Sequence, residues 1–498
     1  MSLLGLAPAV VVSIGLPSAT GAGGPPAAGR PGCDYVVSFA SGKLTRAEVR
    51  ATLPVALGKL EIDSYGAWSQ PAGWATFIRD LEARDANGAP LVVTKSGRLT
   101  WQIAENHSGA VTLSYGVDMS YAEAETWPEG PRSTAAFSDG AAIMIPVTSL
   151  LLFPTNPAGA TVRFELPEGE SWRVSTPWAP HAGDAYTFRA DSVQELTGNL
   201  IVVGRHTPRV VDVDGFETTL VMLGDRAHAT DLLAPAIRNI VAYYRDLLRD
   251  PRRERYLMVW FRDGNWETGE AYRSSFVVIG PDVPTPQNAV VWTDSIAHEL
   301  FHRWNGHAMA SADEPGTQWF MEGFTEYIAN LAALRTGSIE RPDFFRLMDR
   351  HLLMYLMYRY NGPWERVSLV DAGAKKSQNN APIYDGGWLA AFCTDVLIRE
   401  ATANRAGIDD MIRLMFERFG RQGQQYTVQD IIQAASDTAG ADLAGFFNDH
   451  VRGRRVIPIR DFLRRAGCDA VVSLHVVIVR GADSPSSIME SILTGKKP

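Results

Sequence analysis

The sequence predicts a multidomain α+β chain: an N-terminal antiparallel β-sandwich-like domain, a central α/β core and a C-terminal helical domain. Three observations carry this. At 498 residues the chain is too long for one simple core. Residues 34–222 consist of short alternating apolar runs separated by turn residues. Helical periodicity begins near 225 and, beyond 340, is the only pattern left.

In chain order, residues 1–32 read as a leader and linker. Met1–Leu16 is apolar, and Pro17–Gly32 is rich in Pro, Gly and Ala. This resembles the apolar core and small-residue cleavage zone of a signal peptide, although no Lys or Arg precedes the apolar run. A periplasmic or secreted location is expected, with the cytoplasm as the alternative. No later stretch is apolar for long enough to predict another membrane span.

Residues 33–222 form the β-rich domain. Its clearest runs are Asp34–Phe39, Leu99–Ile103, Ala110–Tyr115 and Thr161–Leu166, and Asp85-Ala86-Asn87-Gly88 supplies a turn. Residues 223–340 form the core. Here Asp231–Arg249 reads as an amphipathic helix, Tyr256–Phe261 as a buried strand and Arg273–Ile279 as an edge strand. Ala289–Trp292 reads as one more strand, ahead of two helices at about 293–305 and 317–336, with Thr293 or Asp294 as N-cap. Residues 341–470 predict helices near 342–359, 386–401, 407–418, 427–438 and 441–451. A tail, 471–498, has one apolar run and a polar end.

The net charge of −9, with no basic run, excludes nucleic acid as an expected partner. Oligomeric state is left open. Three cysteines do not make a disulfide scaffold. Cys33 and Cys468 share a Gly-Cys-Asp context and either pair in an exported protein or are two unrelated buried thiols.

The chemistry concentrates at His298-Glu299-Leu300-Phe301-His302. On a helix, His298 and His302 lie one turn apart on one face and can present imidazole nitrogens to a single ion. Glu299 stands beside them as a candidate general base. Glu322 follows His302 by twenty positions, a spacing that lets a returning helix bring a carboxylate to the same ion. Two histidines, one glutamate and an open position form a catalytic zinc set, as in thermolysin-type peptidases, so the core is expected to be thermolysin-like with one Zn2+. Cobalt or manganese would also suit these ligands. Glu326, one turn beyond Glu322, is placed to accept from a ligand histidine's other N–H. Asn305 reads either as an ordering residue beside the ligands or as an exposed helix cap. The bland alternative for the motif is an amphipathic helix with solvated His and Glu.

The runs His298–Asn305 and Trp319–Tyr327, with Tyr384-Asp385-Gly386-Gly387 and Phe446–Gly453, resemble the glycyl aminopeptidase family of metallopeptidases. These are gluzincins related to aminopeptidase N and leukotriene hydrolase. The resemblance implies His298, His302 and Glu322 as zinc ligands, Glu299 as general base and Tyr384 as the phenol that stabilises the tetrahedral intermediate. It implies peptide substrates and release of small N-terminal residues such as Gly or Ala. The chain departs from the family pattern at three places. Gly386 stands where a lysine is usual. In Thr268–Ser275, aligned on the final serine, Ala271 replaces the glutamate expected to hold the substrate's amino terminus. Glu270 and Tyr272 flank it, and a one-residue shift on a strand changes face. The stretch after Cys468 is too short for the C-terminal PDZ domain of many relatives. An endopeptidase, or a catalytically quiet peptide-binding protein on this scaffold, are the alternatives.

Overall fold

The structure is a computed structural model. It describes residues 32–496 apart from 55–57, 105–108, 125, 129–131, 155–158, 182, 225–226, 264–266, 362–366, 473–476 and 482–486. The expected leader and linker, up to residue 31, lie outside the described residues. The chain forms two compact units. One is the chain up to Ala234 with Arg252–Val283; the other is Pro235–Pro251 with the chain from Pro284 onward.

The first unit is β-rich, as expected. Its largest sheet has eight strands, with Cys33–Phe39, Arg46–Leu53 and Val111–Asp118 side by side near the middle. Strand Arg46–Leu53 shows the reason for the fold in its alternation. Arg46, Glu48, Arg50 and Thr52 face solvent, and Ala47, Val49, Ala51 and Leu53 are buried. The sheet is antiparallel except for one parallel pairing, Cys33–Phe39 with Ala160–Glu165. Strand Ala142–Pro146, paired with Leu200–Gly204, serves two cores at once. Ile143 and Ile145 pack with Tyr35, Val37 and Leu113, while Ala142 and Met144 pack with Leu257, Val259 and Val277.

That second core belongs to a five-stranded mixed sheet, Arg209–Val213, Phe216–Met222, Glu254–Phe261, Ser275–Ile279 and Thr268–Ala271 in spatial order. One correction arises here. The strand expected at the edge, within 273–279, is interior, parallel to Glu254–Phe261 on one side and antiparallel to Thr268–Ala271 on the other. All five of its residues are buried, which suits a strand covered on both faces. The edge is Thr268–Ala271.

The second unit is helical. Helices Arg341–Asn361, Gly387–Ala401, Ile408–Met415, Val428–Ala439 and Ala444–His450 fall where the periodicity predicts them. One expectation fails. Ala289–Trp292 is the first turn of a helix, Ala289–Phe301, and not a strand, so Thr293 and Asp294 are interior to it. Pro286 and the Asn288 side chain, whose Oδ1 accepts from Thr285 N at 2.7 Å, start the helix four residues earlier than the β-branched run suggested. Cys468–Val472 pairs with Val477–Gly481, and Ser487–Thr494 is a helix with Met489, Ile492 and Leu493 buried. Burying each of these side chains contributes about 1.5–3 kcal/mol. The Arg335 guanidinium donates to the Ile492 carbonyl and pairs with Asp409, which fastens that helix. Cys33 and Cys393 are buried, free thiols and Cys468 is buried, so the expected alternative of a Cys33–Cys468 pair is not formed. Among the described residues no helix is long and apolar enough to cross a membrane.

Candidate metal centre

Helix Ala289–Phe301 ends just before His302, and the chain turns sharply through Gly306, whose φ of +144° only glycine adopts readily. His298 and His302 project from one face. Their Nε2 atoms are 3.0 Å apart, and Glu322 Oε2 lies 3.3 Å from the first and 3.4 Å from the second. All three residues are buried, and one donor atom from each lies within 4.8 Å of the others.

The outer partners of the imidazoles decide what this arrangement can hold. His298 Nδ1 meets Glu326 Oε2 at 2.7 Å, and His302 Nδ1 meets the Asn305 carbonyl at 3.0 Å. A carboxylate and a carbonyl accept only, so both Nδ1 atoms carry the protons. In the neutral rings both Nε2 atoms are then lone-pair donors, aimed at each other and at a carboxylate oxygen. Three lone pairs converging in a buried pocket repel unless a cation lies among them, so the donor set fits one divalent ion. In the protein alone, burial pulls the His298 imidazole down, but its hydrogen bonds to Glu322 and Glu326 raise it well above the usual value. A metal ion would displace that proton. Burial lowers His302. Burial by itself would raise Glu322, yet the Lys376 ammonium and the two imidazoles hold its carboxyl well below the ordinary range.

Glu322 is positioned by an irregularity in its helix. Between Glu314–Gln318 and Thr325–Arg335 the backbone widens into a π-helical turn, Trp319–Phe324, a feature frequent at functional sites. Asn305 is fully buried, not an exposed cap. Its Nδ2 donates to the Phe320 carbonyl at 3.1 Å and to Thr325 Oγ1 at 3.1 Å. One residue thus ties the histidine helix, through its own carbonyl, to the turn that carries Glu322. A second π-helical turn, Pro382–Gly386, carries Tyr384, whose ring centroid is 6.1 Å from that of His298. The two turns approach backbone to backbone. A Cβ on Gly323 would lie 2.6 Å from Trp388 N, and one on Gly387 would lie 2.9 Å from Gly323 Cα. Gly386 is crowded too: a Cβ there would meet Leu369 Cδ2 at 2.7 Å.

Glu299 is 3 % exposed, and its Oε2 has no hydrogen-bond partner among the described residues. Burial pushes its carboxyl up to about 8, with His298 opposing and Glu322 adding to the rise. A carboxylate poised near neutral pH, with a spare acceptor oxygen, suits proton transfer.

The structure adds two residues that sequence reasoning missed, Lys376 and His351. Lys376 Nζ donates to Glu322 Oε1 at 2.5 Å. His351 lies with Nε2 3.5 Å from Glu326 Oε1, and its Nδ1 is 2.8 Å from Asp385 Oδ1, so a buried chain runs from His298 to the neighbour of Tyr384. Lys376 sits in a polar stretch that reads as solvated, and His351 in a helix that reads as packing. Glu270, Ala271 and Tyr272 are all buried in the first unit. The Tyr65 hydroxyl donates to Glu270 Oε1, and the Tyr272 hydroxyl to the Ser133 carbonyl at 2.9 Å.

Two family models match the chain: the peptidase M61 N-terminal domain over residues 34–205 and M61 glycyl aminopeptidase over residues 292–381. Among solved structures, an aminopeptidase N family protein from Idiomarina loihiensis is similar, with a TM-score of 0.75 at 19 % identity, covering 88 % of this chain and 79 % of that one. That likeness supports the multidomain fold. A search of curated proteins returned no match. With the two M61 models matched in order along one chain, and together spanning just over half of it, this protein belongs to the M61 family of peptidases.

Proposed function

We propose that this peptidase is a zinc-dependent aminopeptidase that releases small N-terminal residues, Gly or Ala, from peptides. The observation that carries the metal reading is the convergence of His298 Nε2, His302 Nε2 and Glu322 Oε2 in a buried pocket whose outer partners leave both nitrogens as donors. The preference for a free amino terminus rests on the glycyl aminopeptidase description of the matched segment.

When bound, zinc would lower the pKa of a water toward 7 and polarise the scissile carbonyl. The protein supplies the rest. Glu299, with its unpartnered Oε2, takes the proton of the attacking water and returns it to the amine nitrogen as the C–N bond breaks. The Tyr384 hydroxyl donates to the carbonyl oxygen as negative charge develops on it. Glu326 and the Asn305 carbonyl hold the two imidazoles in the ligating tautomer.

The test is metal content and turnover measured together on Gly-, Ala- and N-blocked peptides, with Glu299→Gln alongside. The proposal expects about one zinc per chain in both proteins, cleavage of free-amine peptides by the parent, and a loss of at least about 10²-fold in Glu299→Gln. Cleavage of blocked peptides would replace the aminopeptidase by an endopeptidase. Zinc without turnover would leave a peptide-binding protein, and absence of zinc would reject the centre.

A further inference from the structure

We propose that Lys376 is a positioning residue of the metal centre: its ammonium engages Glu322 Oε1 and leaves Oε2 alone for the ion, so that a coordination position stays open for the reaction. This rests on the metal reading above.

The two oxygens of Glu322 have separate partners. Oε2 faces His298 and His302, and Oε1 accepts from Lys376 Nζ at 2.5 Å. The carboxylate is wholly buried and the lysine is 8 % exposed. A buried ammonium is costly unless paired, so the contact is held by the penalty for leaving it. The segment bearing Lys376 is also pinned. Asn379 Nδ2 donates to the Ala372 and Lys375 carbonyls at 3.1 Å each. A Cβ on Gly373 would lie 3.0 Å from Gln318 Cγ, so this segment packs directly against the helix that leads into the Glu322 turn. Lys376 Nζ is also 5.6 Å from the Tyr384 ring centroid. The ammonium therefore lies close to both the Glu322 carboxylate and the Tyr384 ring, in a place the backbone specifies.

A carboxylate released from Lys376 can offer both oxygens to a divalent ion. The ion would then gain a donor and lose its open position. The lysine's charge also repels the ion, so its removal should not weaken binding. A residue that merely braced the fold would behave the other way, with weaker binding and an unchanged coordination sphere.

The experiment is titration of the metal-free full chain, Lys376→Met and Lys376→Arg with cobalt(II), read by visible absorption. Lys376→Met should bind cobalt at least as tightly as the parent, with its visible bands weakened about two-fold or more by the added donor. Lys376→Arg, which can still donate to Oε1, should restore the parent spectrum. Identical parent and Lys376→Met spectra overturn the proposal, as does weaker cobalt binding in Lys376→Met. X-ray absorption of the zinc-loaded parent tests it without any variant, because two oxygens from Glu322 on the ion would reject it. If the parent binds no cobalt or zinc at all, the metal centre itself fails, an outcome distinct from bound metal with unchanged spectra.

Discussion

Replacing Gly387 by alanine sets two effects of opposite sign against each other. Gly387 opens helix Gly387–Ala401, and in a helix alanine is favoured over glycine by up to about 1 kcal/mol. The new Cβ, however, would lie 2.9 Å from Gly323 Cα and closer still to the Trp319 carbonyl oxygen. Overpacking against side chains costs about 1–3 kcal/mol. Both obstacles here are backbone, which cannot rotate away, so the cost belongs at or above the upper end of that range. The expected net is a destabilisation of about 2 kcal/mol or more. Because Glu322 and Tyr384 ride on the two segments forced apart, turnover should fall as well. Gly445→Ala is the control: it lies in helix Ala444–His450, a Cβ there would meet nothing within 4 Å, and the change should be neutral or stabilising. Urea unfolding of the two variants beside the parent gives the comparison. If Gly387→Ala unfolds at the same urea concentration as Gly445→Ala, the close backbone approach is not what holds these turns together.

Three further outcomes are expected, two at the candidate metal centre and one in the first unit. Glu326→Gln weakens the partner of His298 Nδ1, now at 2.7 Å, and should reduce zinc affinity about 10–100-fold in chelator competition; unchanged affinity would separate Glu326 from the centre. Tyr384→Phe should lower kcat about 10²–10³-fold with little effect on KM, and a loss confined to KM would reject the oxyanion role. In the first unit, burial pulls the His206 imidazole down to about 4, with Ser175 Oγ 2.8 Å from its Nε2. The unfolded imidazole titrates near 6.5, so between about 6.5 and 4 the unfolded chain binds more protons. The stabilisation is therefore complete above 6.5 and is lost as pH falls toward 4. About 2 kcal/mol should disappear between pH 7 and pH 5 in the parent, and thermal melts of His206→Gln should lack that component.

The cluster of His298, His302 and Glu322 was legible in the sequence because its rule is local. A spacing of four on a helix puts His298 and His302 on one face whatever surrounds them, and Glu322 and Glu326 repeat that spacing on the returning helix. Periodicities of 2 and 3.6 likewise placed several of the strands and most of the long helices, since they follow from backbone geometry. One failure was local and the other long-range. The apolar run at Ala289–Trp292 has strand composition, but the turn formed by Thr285, Pro286 and Asn288 starts a helix there. Strand Ser275–Ile279 is interior because partners from elsewhere in the chain flank it on both sides, which no pattern within it can reveal.

The sequence by itself determined which residues can ligate a metal, which carboxylate stands beside them, and the order of a β-rich half and a helical half. Only the tertiary structure decided how those residues are supported. Lys376 reaches Glu322 across fifty-four positions, His351 joins Glu326 to Asp385, and the Asn305 side chain grips a turn fifteen to twenty positions ahead. Such partners are selected by three-dimensional proximity and by the cost of burying charge unpaired, and neither leaves a period or a spacing in the chain.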